Sequence, residues 1–231
     1  MNKILLNKMP SILVIEPDRS LAEYVSLDLK ESGFKPLFAY DGQMGWQLWS
    51  EARPDLIVVE RMLGQESGLQ FCSELRKSGN YVPVVMLMAR DTLEDRVACL
   101  EAGADDYFLK PYRTNDFLDM VRLYLQSEPT NTEKLQFGDL VLELSIRRAS
   151  RQGRAISLTM KEYELLKYLM ESPRQILSRE QILENVWGSN FMGESNVIEV
   201  YIRYLRLKLE QNGEKRLIQT VRGVGYVLRE P

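Results

Sequence analysis

Four apolar runs in the first half of the chain end beside residues able to do chemistry. Residues 55–60 read Asp-Leu-Ile-Val-Val-Glu and close on a single carboxylate, Glu60. Residues 12–15 (Ile-Leu-Val-Ile) are followed by Glu16, Pro17 and Asp18, residues 84–87 (Val-Val-Met-Leu) by Met88, and residues 107–109 (Tyr-Phe-Leu) by Lys110 and Pro111. If those ends converge, the Glu60 carboxylate reaches Lys110 as a permanent ion pair, for which nitrogen and oxygen must come within about 4 Å. Each residue also has a plainer reading. An acid after a strand is usually a solvated turn residue, a Lys-Pro pair marks a strand terminus, and Met88 is most simply core.

The elements that must bring these ends together are legible. The runs are continuous and rich in β-branched residues, and helically spaced segments separate them, which is the pattern of a parallel sheet buried on both faces. Residues 37–40 add a weaker second strand, so the first half reads as α/β. Sites in open parallel sheets form beyond the carboxyl ends of the strands, where Glu16, Asp18, Glu60, Met88 and Lys110 fall. Their order and spacing, and above all Gly-Ala-Asp-Asp-Tyr-Phe-Leu-Lys-Pro at 103–111, resemble a response-regulator receiver domain. The resemblance implies a doubly wound, five-stranded parallel (flavodoxin-like) sheet over residues 1–126.

That resemblance also implies a phosphorylation pocket, from which this chain departs. Receivers carry an acceptor aspartate at the position of Glu60, two acids after the first strand that hold Mg²⁺, a Thr or Ser at the position of Met88, and the lysine matching Lys110. Here Glu60 replaces the acceptor, Pro17 the acid that binds metal most directly, and Met88 the hydroxyl; only Glu16 and Lys110 remain in type. Phosphoryl transfer is mostly positioning and charge neutralisation around Mg²⁺, which wants near-octahedral oxygen ligands. Proline offers only its carbonyl and methionine no hydroxyl. Glutamate is one methylene longer than aspartate, moving the carboxylate outward by roughly 1.5 Å and spoiling an in-line geometry. The expectation is little or no phosphorylation, with no metal and no cofactor. Tyr107 holds the position of the aromatic that reports the switch in relatives. In them, dimers form through the fourth helix, fifth strand and fifth helix; Arg96 and Asp116 match one ion pair of that interface, while Met120 stands where the partner of Asp106 is usually arginine.

The chain changes character at about residue 127. Residues 127–133 are polar, include a proline and lack an apolar period, which predicts a linker. Residues 1–126 carry 14 Lys and Arg against 19 Asp and Glu, a net of −5; residues 127–231 carry 16 against 14, a net of +2. The asymmetry points weakly to nucleic acid at the C-terminal end. Alternating runs at 140–144, 146–149 and 155–158 predict a small antiparallel sheet. Thr159 with Glu162 predicts a capping box. A second helix is expected over 178–187 and a third from about Ser195, burying Ile198, Ile202, Leu205 and Leu209. Thr220-Val-Arg-Gly-Val-Gly-Tyr-Val is a glycine-pinched hairpin with Arg222 near its tip.

Helix, helix and basic hairpin over residues 134–231 resemble the winged helix-turn-helix of the OmpR/PhoB family. By that resemblance the third helix enters the major groove and the hairpin the adjacent minor groove. It places Asn196, Val200, Arg203, Tyr204 and Arg206 on the reading helix, Trp187 and Tyr201 at the DNA backbone, and Arg222 and Tyr226 on the wing. Asn196 and Tyr204 stand where many relatives have arginine, so base preference does not carry over.

No apolar run approaches 18 residues, and residues 4–6 are too short a core for a signal peptide, which predicts a cytoplasmic protein without membrane contact. Cys72 and Cys99 read as small buried hydrophobes in a reducing compartment. The chain has no histidine, which excludes histidine metal sites, triads and imidazole pH switches. The leading expectation is a non-enzymatic transcription factor that binds double-stranded DNA at tandem half-sites as a receiver-mediated homodimer, without aspartyl phosphorylation. RNA polymerase and a sensor kinase are partners left open. Two alternatives remain: a phosphorylation-dependent regulator using Glu60 or Asp18, and an adaptor whose receiver binds another protein.

Overall fold

All five residues of Ser11–Ile15 (β1), of Leu56–Glu60 (β3) and of Val84–Met88 (β6) are buried, as strands covered on both faces require. The computed structural model describes residues 9–90, 92–125, 134–144, 147–188 and 196–231. The chain forms two compact units, Met1–Gln126 and Ser127–Pro231; the expected linker at 127–133 lies outside the described residues.

In the first unit the order is β1, α1 (Arg19–Glu31), β2 (Lys35–Ala39), α2 (Gly42–Ala52), β3, a ribbon of β4 (Met62–Leu63) with β5 (Glu66–Ser67), α3 (Gly68–Lys77), β6, α4 (Leu93–Glu101), β7 (Asp106–Leu109) and α5 (Thr114–Leu125). The main sheet is five-stranded in the order β2-β1-β3-β6-β7, and each neighbouring pair is parallel. This is the doubly wound receiver sheet. The second strand starts two residues earlier than expected and includes Pro36. Proline is tolerated because β2 is an edge strand with β1 as its one ladder partner.

The second unit holds a four-stranded antiparallel sheet of β8 (Lys134–Phe137), β9 (Leu140–Glu143), β10 (Arg148–Arg151) and β11 (Arg154–Ile156). Three helices follow: α6 (Met160–Glu171), α7 (Arg179–Trp187) and α8 (Val197–Leu209). A three-stranded sheet in the order β12-β14-β13 closes the unit, from Leu177–Ser178 (β12), Ile218–Val221 (β13) and Gly225–Leu228 (β14). In this unit two of the described strands escaped the sequence reading, β8 and β12, as the short β4 and β5 did in the first; β8 abuts a polar stretch and β12 is two residues long. Of the strand expected at 146–149, Arg148 and Ala149 fall in β10, which runs on to Arg151; residue 146 lies outside the described residues. The capping box at Thr159 and Glu162 is present, and a second one, Ser178 with Gln181, starts α7. Ser195, the expected start of the third helix, lies outside the described residues.

Candidate regulatory pocket and nucleic-acid interface

β1, β3 and β7 deliver their terminal side chains to one edge of the sheet. Lys110 Nζ lies 2.9 Å from Glu16 Oε2 and 2.5 Å from Glu60 Oε2, so the ammonium bridges two carboxylates. Glu16 and Glu60 are buried, at 2% and 7% exposure, whereas the lysine side chain is 26% exposed. The remaining oxygens are also engaged: Glu16 Oε1 accepts from the Asp18 amide at 3.1 Å and Glu60 Oε1 from the Met62 amide at 3.1 Å. Burial lowers the Lys110 pKa, but its bonds to Glu60 and then Glu16 outweigh that and hold it above the ordinary lysine value. Gly68 is required beside this cluster, because a Cβ there would stand 2.2 Å from the Glu60 carbonyl oxygen.

The other pocket positions are committed elsewhere. Asp18 is the N-cap of α1 and accepts from the Ser20 and Leu21 amides at 2.9 and 3.2 Å. Pro17 contributes no side-chain donor or acceptor. Met88 is fully buried, and its sulfur accepts from the Cys99 thiol at 3.2 Å. Burial pushes both Cys72 and Cys99 up to about 12, so these thiols stay protonated and serve as core. The donors do not fit Mg²⁺: both buried carboxylates are tied to Lys110, Asp18 caps a helix, and no group of three or more metal-ligating residues occurs among the described residues.

One pair was not read from sequence. Arg61, next to Glu60, places Nη2 2.8 Å from Asp95 Oδ1 in the first turn of α4. Asp95 is itself held by Thr92, whose hydroxyl accepts from its amide at 3.1 Å. The segment after β3 is therefore tied to α4 by ionic contact.

The residues matched to the dimer interface are disposed within the protomer. Arg96 is buried at 4% exposure, with its guanidinium 5.9 Å from the Tyr107 ring centroid. Tyr107 is half-buried against the core. Asp106 accepts from the Tyr124 hydroxyl at 3.0 Å, and Asp116 is exposed, 4.0 Å from Arg113. Within its own unit Arg96 is therefore buried, with its cation near the Tyr107 ring.

In the second unit, α8 buries Val197, Ile198, Tyr201, Ile202, Leu205 and Leu209. Tyr201 is 3% exposed, its ring 5.2 Å from that of Trp187. Tyr201 follows Ile198 by three positions and joins the buried stripe, so its ring is core rather than an outward contact. Tyr226 is likewise 3% exposed and does not lie at the surface of the hairpin; all four residues of β14 are buried, whereas Arg222, in the turn between β13 and β14, is exposed. Arg206 points to the hairpin: Nε donates to the Ile218 carbonyl at 3.0 Å and Nη2 to Thr220 Oγ1 at 2.9 Å. Arg203 and Arg222 are exposed, while Asn196, Val200, Tyr204 and Trp187 are half-buried.

Several cations that sequence reasoning had counted towards nucleic acid hold the unit together. Arg151, 2% exposed, bonds Asp139 and the carbonyls of Leu209 and Lys215. Lys161 bonds the Val186 carbonyl at 2.7 Å, at the end of α7, and Lys208 lies 2.5 Å from Glu162. Arg151 was findable: it stands two residues from Ala149, and β10 alternation sends both inward.

The parallel sheet with a charged cluster at its carboxyl edge, followed by two helices and a hairpin, defines a receiver joined to a DNA-binding unit. Residues 12–122 match the response regulator receiver domain, and residues 153–228 match the C-terminal domain of transcriptional regulatory proteins. Response regulator MprA of Mycobacterium sp. (strain KMS) is 44% identical over 223 residues, covering 95% of this chain and 97% of that protein. A solved mutant of RitR superposes with a TM-score of 0.73 at 31% identity, covering 96% of this chain and all of that one. DrrB of Thermotoga maritima, an OmpR/PhoB homologue, gives 0.52 at 27% identity, with 96% and 100% coverage. The chain belongs to the OmpR/PhoB-type response regulators and is a transcriptional regulator with a C-terminal DNA-binding domain. Among the described residues, no helix is long and apolar enough to cross a membrane.

Proposed function

We propose that this regulator binds its operator in the untreated state, as a dimer on tandem half-sites, and is controlled without aspartyl phosphorylation. The observation that supports this reading is the Glu16–Lys110–Glu60 cluster. The lysine that relatives direct at a phosphoryl group here already has two carboxylate partners. A phosphoryl group arriving at Glu60 would have to displace Lys110 and meet the second buried carboxylate of Glu16, with no metal to offset the added charge. The capping role of Asp18 likewise weakens it as a substitute acceptor. Control then falls to abundance, or to a protein or ligand that engages the receiver. The cation of Arg203 on α8 and that of Arg222 on the hairpin are the proposed contacts to DNA.

Intact-mass measurement after incubation with a small phosphodonor and Mg²⁺ tests the reading. The wild-type chain is expected to take up no phosphate, whereas a Pro17→Asp/Glu60→Asp/Met88→Thr variant, with the three missing groups restored, gains one. Stoichiometric uptake by the wild type would overturn the proposal.

A further inference from the structure

Tyr226 sits between two cations from different helices. The guanidinium of Arg179, at the start of α7, lies 5.8 Å from its ring centroid, and that of Arg206, on α8, lies 6.0 Å from it. Arg179 also ion-pairs with Glu199 of α8, which offsets part of the positive charge gathered on the ring. Arg206 spends two donors on β13, at Ile218 and Thr220, the second being two residues before Arg222. On the other side, β14 is pressed against the strand preceding α7: a Cβ on Gly225 would stand 2.0 Å from the Leu177 carbonyl oxygen. The root of the hairpin is therefore fixed to both helices, while Arg222, Gly223 and Val224 at its tip are exposed.

From this geometry we infer that Arg206 is a positioning residue for the wing: it sets the hairpin, and hence Arg222, at a fixed distance from the reading face of α8. The inference rests on the assignment of α8 and the hairpin to DNA, and it gives Arg206 a role other than reading bases or phosphates. Two hydrogen bonds in fixed directions from one side chain, with its cation 6.0 Å from an aromatic ring centroid, suit a guanidinium. A lysine keeps the charge but loses the fork. A wing held this way meets the minor groove without first being ordered, which removes an entropic cost from binding.

The test is a double-mutant cycle in the full-length protein, on a DNA site selected from random sequence, over a salt series. Arg222→Ala alone is expected to weaken binding about tenfold and to reduce the salt slope by about 1. Arg206→Lys, which conserves charge, is expected to reproduce both effects, and the double variant to bind no more weakly than either single one, a strong non-additivity between sites with no direct contact. Thr220→Ala, which removes one exposed bond and leaves the core intact, is expected to give an intermediate loss that also vanishes in the Arg222→Ala background. Losses that multiply, or an Arg206→Lys variant with wild-type affinity and slope, would overturn the inference. If Arg222→Ala by itself changes neither affinity nor slope, the assignment of the hairpin to DNA fails, and the positioning role fails with it. Thermal unfolding of each variant separates these outcomes from loss of fold.

Discussion

At the residue scale, Lys110 is the hinge of the account. It is the cation shared by two buried carboxylates, so Lys110→Met leaves both uncompensated and is expected to cost about 3 kcal/mol, the low end for a broken buried pair because part of the lysine reaches solvent. The double variant Glu60→Gln/Lys110→Met should recover part of that loss; chemical denaturation of the full chain reads both. The pH dependence has a definite sign. The folded Lys110 pKa lies above the ordinary lysine value, so the stabilisation is fully present below that value and is lost as pH rises through the higher folded one. The stability difference between wild type and Lys110→Met should accordingly stay level from about pH 7 to about pH 10 and shrink only beyond. A difference that changed near neutrality would contradict the assignment. The convergence of Glu60 and Lys110 was legible because strand ends in a parallel sheet share an edge. That Glu16 joins them was not, since its direction depends on how Pro17 and Asp18 turn the chain into α1. Nor was Arg61 with Asp95, one residue just after β3 and the other in the first turn of α4, which no period relates.

At the scale of elements, local chemistry was the better guide. Buried parallel strands announced themselves as continuous apolar runs, and Thr159 with Glu162 announced the start of α6. Thr159→Ala removes one side of that capping box and should lower stability by about 1 kcal/mol, seen as a depressed unfolding midpoint of the C-terminal unit. Less legible were faces. The resemblance put Tyr201 at the DNA backbone, whereas its ring is buried against Trp187. Truncating it to alanine should cost about 3–5 kcal/mol in stability, and Tyr201→Phe much less. A DNA-contacting Tyr201 would show the reverse, with little effect on unfolding and a clear loss of binding. β8 and β12 escaped because a strand of two to four residues in a polar context carries no period to detect.

For the whole molecule, charge reads differently once its internal uses are subtracted. The C-terminal half has a net of +2 by sequence, yet Arg151, Arg154, Lys161 and Lys208 are bonded within the domain. With these four of the 16 cations committed, one domain should bind DNA with a shallower salt slope than its composition suggests and depend on a second copy for affinity. The central claim, that the receiver works without a phosphoryl switch, is tested most directly by the affinity of the untreated full-length protein for a selected operator, measured with and without phosphodonor and Mg²⁺. Tight, cooperative binding whose midpoint does not move when the phosphodonor is added is the expected result. Weak binding that tightens on phosphodonor treatment, accompanied by phosphate on the receiver, would contradict it.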